Sequence, residues 1–218
     1  MAVINDQARG SEEHIMTVLV GTLVGVLGVL IMRPIVRHFA VDNSPSWVSV
    51  PVAALSATAM TIGVDGLLVA TALGSLSATL VVLSDIDMRV RRLPREISYP
   101  AAVLGAVLLT TDAFVRNRAD RVVMVLAGAA AFTAVMLALH VLGRGALGDG
   151  DVRVAPLLGT FLGYWSPGLV LVALFVASLS AAIVGVGLMV FRRTGRATTV
   201  AFGPFLAVGT VAAIVLGG

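Results

Sequence analysis

Long apolar runs return along this chain almost without interruption, and few charges break them. Eight such runs are readable, over residues 15–32, 48–63, 67–83, 97–111, 122–142, 152–164, 169–191 and 200–216. The hydrocarbon core of a bilayer takes about 20 residues of helix, and about 17 at the short end. Lipid offers no partner to an unpaired backbone group, so runs of this kind must fold as helices. The expected fold is therefore all-α: a polytopic integral membrane helical bundle of about eight transmembrane helices. A polar N-terminal tail over 1–14 precedes a single membrane-embedded domain over 15–218. The second, fourth and sixth runs are short, which keeps seven spans open as an alternative. Composition supports this reading. Of 218 residues, 58% are hydrophobic and 12% charged, whereas a soluble domain carries roughly 25% charged residues. Disorder, a coiled coil and an ordinary soluble enzyme are excluded.

The charges that remain describe a topology. All 15 basic residues are arginine. Eleven of them fall in alternate connections: Arg33 and Arg37, then Arg89, Arg91, Arg92 and Arg95, then Arg144 and Arg153, then Arg192, Arg193 and Arg196. The other four are Arg9, Arg116, Arg118 and Arg121. The positive-inside rule puts the larger set in the cytoplasm and both termini outside. Tyr164 and Trp165, beside the turn at Ser166-Pro167, suit an interfacial position. Arginines placed beside apolar runs do not indicate nucleic-acid binding. The acidic N-terminal stretch with Asp6, Glu12 and Glu13 is unlike the basic start of a cleaved signal peptide. The chain has no cysteine, so thiolate zinc sites, disulfides and a cysteine nucleophile are not expected.

Ionisable groups near a bilayer are costly and need a reason. Asp85, Asp87, Asp149 and Asp151 all fall at ends of apolar runs on the same expected face. Asp85 and Asp87 precede an arginine cluster and Pro94, and a solvated loop pairing them with Arg89 and Arg91 would explain them. Asp151 follows Gly148-Asp149-Gly150, and a glycine turn with an N-capping aspartate would explain it. Gly148 and Gly150 permit positive φ and close approach of a peptide. The spacing of a calcium loop is not met, and no metal site is expected. Taken together, the two segments suggest a dyad. Two carboxylates within hydrogen-bonding reach cannot both ionise easily, so one is held neutral and the other acts as a base. That is the chemistry of aspartic proteolysis. A small ion-coupled transporter using the same acids is the competing reading, although carriers bind near the bilayer midplane. His140, near the end of the fifth run, reads as a packed or interfacial histidine rather than a proton relay.

Three motifs carry a resemblance. They are Asp87 with Leu93-Pro94 and then Ile97, Ser98 and Pro100; Gly148-Asp149-Gly150-Asp151-Val152-Arg153 with Leu158-Gly159 and Leu162-Gly163; and Ala201-Phe202-Gly203-Pro204-Phe205. In order and spacing the chain resembles the type IV prepilin peptidases, membrane aspartic proteases of the Gly-x-Gly-Asp class. The resemblance implies Asp87 and Asp151 as the catalytic pair. Gly148, Asp149, Gly150 and Asp85 are assigned to substrate binding, with Asp85 and Asp149 attracting a basic leader. It implies cleavage of prepilin or pseudopilin precursors at the cytoplasmic side of a bacterial inner membrane, without a cofactor. Arg89, Arg91 and Arg92 are expected to meet lipid phosphates. Larger members carry a cysteine-rich, metal-binding segment after the first span and N-methylate the product. The connection here has no cysteine, so methyl transfer is not expected. A catalytically inactive pilus-assembly protein is the remaining alternative, and the oligomeric state is left open.

Overall fold

A computed structural model describes residues 2–39, 48–91, 93–144, 148–192 and 201–217, with side chains not described at 2–9, 37–39 and 191–192. The described residues form eight helices: α1 (Ala2–Phe39), α2 (Ser49–Thr61), α3 (Leu67–Val90), α4 (Arg95–Val115), α5 (Ala119–Leu142), α6 (Asp149–Trp165), α7 (Leu169–Arg192) and α8 (Gly203–Gly217). Among these residues there is no strand. Each expected run has its helix. Five are long and apolar enough to cross a membrane: parts of α1 and α7, and all of α3, α4 and α5. The chain is an integral membrane protein.

Several boundaries move. The expected polar tail is helical and continuous with α1, and α1 runs on through Pro34. The fourth run is not short: α4 has 21 residues because the helix extends over Arg95-Glu96 at one end and Asp112 at the other. The eighth is short instead, at 15 residues. The connection at 40–47, Arg92, the start of the glycine segment at 145–147 and the arginine-bearing stretch 193–200 lie outside the described residues.

α3 and α6 form the centre. α3 packs against α1, α2, α4 and α8, while α6 packs against α4, α5, α7 and α8. In lipid, apolar side chains gain little by meeting each other, so helices associate through close van der Waals packing at small residues. This chain follows that rule. A Cβ added at Gly128 of α5 would stand 2.4 Å from the Gly159 carbonyl oxygen of α6. One added at Gly163 would stand 2.4 Å from the Met124 carbonyl oxygen. On the other side, Gly74 of α3 lies against the Gly21 carbonyl of α1, 2.3 Å from where a Cβ would be. The large apolar side chains left outside, such as Leu19 and Leu23 on α1 and Leu171, Phe175 and Ile183 on α7, suit contact with lipid.

A polar clamp closes one end of the bundle. Buried Asp112 of α4 accepts a hydrogen bond from the Tyr164 hydroxyl of α6 and pairs with Arg116 at 3.1 Å. Arg116 also donates to the Asp65 carbonyl in the turn before α3, at 2.7 Å. Arg121 of α5 donates to the Tyr164 carbonyl at 2.7 Å and lies 4.9 Å from the centre of the Tyr164 ring. Tyr164 is thus a buried cross-link between α4, α5 and α6. Hydrogen bonds to charged groups contribute about 1.5–3 kcal/mol, and membrane measurements run lower. Tyr164→Phe is therefore expected to cost about 1–2 kcal/mol, read as a lower unfolding temperature in detergent.

Candidate active site

Asp87 does not lie in a loop. α3 continues past the apolar run for two more turns, and the Asp85–Arg89 ion pair at 3.0 Å has the i,i+4 spacing that supports a helix there. The helix ends at Arg91, in the left-handed region at φ 53°, whose N–H bonds the Asp87 carbonyl at 2.9 Å. Pro94 disfavours helix only at Leu93, which is why α3 could run so far. Asp87 is then 6% exposed. Its Oδ2 accepts a hydrogen bond from the Gly203 N–H, at 2.8 Å, at the start of α8. Asp87 is thus not the solvated loop residue that would have explained it away, although Arg91 still lies beside it on the same cavity.

Asp151 sits in the first turn of α6, ahead of the apolar stretch 152–164, and is 7% exposed. Gly148 is the N-cap at φ −66°, ψ 143°, so the positive φ that glycine permits is not used there. What the glycines supply is space. A Cβ at Gly150 would stand 3.1 Å from the Leu93 Cβ, so only a bare backbone passes the α3–α4 connection without pressure. Asp87 and Asp151 line one cavity of about 690 Å³, together with Leu93, Pro94, Gly148, Asp149 and Gly150. Arg91, Arg95 and Arg153 rim it. The two carboxylates come from the C-terminal end of α3 and the N-terminal end of α6, not from mid-helix.

The other acids go elsewhere or to the rim. Asp149 lines the cavity but is largely exposed and faces His140 of α5 at 3.4 Å. Asp85 lies on another face of α3 and lines a separate, mostly apolar groove between α2, α3 and α8. Asp112, buried and paired with Arg116, is not among the acids that the sequence analysis singles out. Its signal was an aspartate at the edge of an apolar run with Arg116 four residues on.

Burial pushes the Asp151 carboxyl up to about 6, the Asp87 charge adds to the rise, and the Gly148 backbone opposes it. The sign of the linkage follows. Between the ordinary carboxylate range and pH 6 the folded state holds a proton that the unfolded state has released, so Asp151 destabilises the fold increasingly as pH rises through that window. Asp151→Asn is expected to raise the unfolding temperature above pH 6 and to make no difference near pH 4, as checked by thermal unfolding across pH.

Comparison with known proteins places the chain in a family. Residues 74–186 match the model of the type IV leader peptidase family. The chain belongs to this family. The matched segment contains Asp87 and the whole of Gly148–Asp151. The chain is also 33% identical over 141 residues to a prepilin leader peptidase/N-methyltransferase of Pectobacterium carotovorum, covering 64% of this chain and 49% of that one. It is 29% identical over 143 residues to the protein of the same name from Aeromonas hydrophila, covering 65% and 48%. The chain thus spans about half the length of the curated relatives it matches. No solved structure gives a significant match.

Proposed function

We propose that this protein is a membrane aspartic endopeptidase that removes the short basic leader from prepilin or pseudopilin precursors, at the cytoplasmic face of the bacterial inner membrane. The observation that carries the reading is the pair of buried carboxylates, Asp87 and Asp151, on one cavity of a chain of the type IV leader peptidase family. The excess of arginine in the connections near this end supports the cytoplasmic assignment. The placement of both acids at helix ends favours a peptidase over a carrier with a midplane site.

The chemistry is proton exchange within the dyad. The ionised carboxylate takes a proton from water as the oxygen attacks the scissile carbonyl carbon. The protonated carboxyl gives its proton to the carbonyl oxygen, forming a neutral diol. On collapse, the first group returns its proton to the leaving nitrogen, the C–N bond breaks, and the second group recovers a proton from the diol. Both aspartates end as they began. Gly148 and Gly150 leave room for the substrate backbone, and Asp149 at the rim attracts a basic leader.

Co-expression with a candidate prepilin, followed by intact mass, tests this reading. Wild type should release the leader, and the product mass should show no added methyl group. An uncleaved precursor across all candidate substrates would overturn the peptidase reading. Asp85→Asn should lower cleavage by less than about threefold, because Asp85 pairs with Arg89 on a face of α3 away from the Asp87–Asp151 cavity, and i,i+4 pairs contribute only a few tenths of a kcal/mol. A larger loss would return Asp85 to the substrate path.

A further inference from the structure

The third motif, around Gly203, has no role in the chemistry above, yet its backbone N–H donates a hydrogen bond to the Asp87 carboxylate. We propose that the Gly203 N–H fixes Asp87 as the ionised member of the dyad, so that Asp151 carries the shared proton. This rests on the dyad reading and adds an assignment that the symmetry of two carboxylates leaves open.

Three features of the geometry converge. First, Gly203 is the first residue of α8, so its N–H has no acceptor within the helix and points outward. It meets Asp87 Oδ2 at 2.8 Å in a buried setting. An N–H can only donate, and a carboxylate oxygen only accepts, so the bond strengthens when Asp87 is charged. The positive end of the α8 dipole acts in the same sense. Second, the position excludes any side chain. A Cβ at 203 would lie 2.7 Å from that same oxygen, so glycine is what lets the backbone reach the carboxylate. Third, the two carboxyls are treated differently. Asp151 lies in the first turn of α6 and has the Gly148 backbone of its own segment as its partner, whereas Asp87 is met by a backbone N–H from a separate helix, α8.

The consequence for the reaction is specific. With Oδ2 held by Gly203, Asp87 Oδ1 is the atom that takes the proton from water. Asp151 then protonates the substrate carbonyl oxygen and later recovers its proton from the diol. Gly203 is a positioning residue, because it acts through Asp87 and not on the substrate.

Gly203→Ala tests this, with Leu216→Ala at the exposed far end of α8 as the control. In Gly203→Ala the added methyl pushes the carboxylate off the N–H. Cleavage should fall about tenfold, and the acid limb of its pH profile should move up by about one unit, the scale of a lost hydrogen bond to a charge. The alkaline limb and the control should stay in place. A wild-type rate and profile in folded Gly203→Ala would overturn the proposal. A second measurement needs neither that variant nor activity. In wild type labelled with ¹⁵N-glycine, the Gly203 amide resonance should titrate at the lower of the two apparent values of the pair and stop titrating in Asp87→Asn. An amide that does not respond, or that follows the higher value, would sink the assignment. If wild type cleaves nothing, the peptidase reading fails, while the amide titration still decides which aspartate is charged.

Discussion

Replacing Asp151 by asparagine should leave a folded protein that no longer cleaves its precursor. Asparagine keeps the size and the hydrogen-bonding shape of aspartate, but it can neither release nor accept the catalytic proton. A general acid or base contributes about 10²–10⁴ in rate, so cleavage should fall at least about a thousandfold, and Asp87→Asn should do the same. The double variant should be no worse than either single one, because the pair acts as one unit. Intact mass of the co-expressed precursor reads the outcome. The expected rise in the unfolding temperature of Asp151→Asn above pH 6 separates lost chemistry from lost folding. The direction of that effect is that of a site that gives up stability for function. Full cleavage by Asp151→Asn protein would remove the dyad from the mechanism.

The second large effect should fall on folding. Gly159→Leu places a side chain where the Gly128 carbonyl oxygen already stands, 2.3 Å from the position of its Cβ, with the Ala129 Cα at 2.7 Å. Both obstacles are backbone, so a rotamer change cannot relieve them. Overpacking costs typically about 1–3 kcal/mol where side chains can adjust. Here α5 and α6 must separate, and the loss should reach at least about 3 kcal/mol. A folded protein with an unchanged unfolding temperature in detergent would show that the α5–α6 contact is looser than described. Because α6 carries Asp151, a partly folded Gly159→Leu protein should also lose cleavage. Gly185→Leu is the contrast. No atom lies within 4 Å of a Cβ there, and the change should be tolerated.

Much of the architecture was legible in the residue order. An apolar run of membrane length has one way to satisfy its backbone, so eight runs yielded eight helices. The turn at Gly63–Gly66 has an equally local cause: both glycines adopt positive φ, at 85° and 116°, which other residues reach only at a cost. Asp87 and Asp151 stood out because carboxylates beside apolar runs are expensive. Helix ends were less legible. α3 runs on through Asp85 and Asp87 because a side-chain ion pair and a left-handed cap at Arg91 sustain it, and neither follows from hydropathy. Glycine at 148 and 150 permits both positive φ and close approach, and the structure uses the second, as clearance at Gly150 against Leu93, a residue more than fifty positions away in the chain.

What the sequence determined by itself is local: lipid solvation forces helices, arginine distribution suggests their direction, and isolated carboxylates in apolar surroundings mark a site. What only the tertiary structure decided is which groups meet across long separations. Tyr164 reaches Asp112, Asp85 turns away from Asp87, and the Gly203 N–H finds Asp87 across 116 residues. These pairings depend on how closely helices approach. That distance is set by glycine contacts between α5 and α6 and between α1 and α3, which become readable only when both partners of each contact are in place.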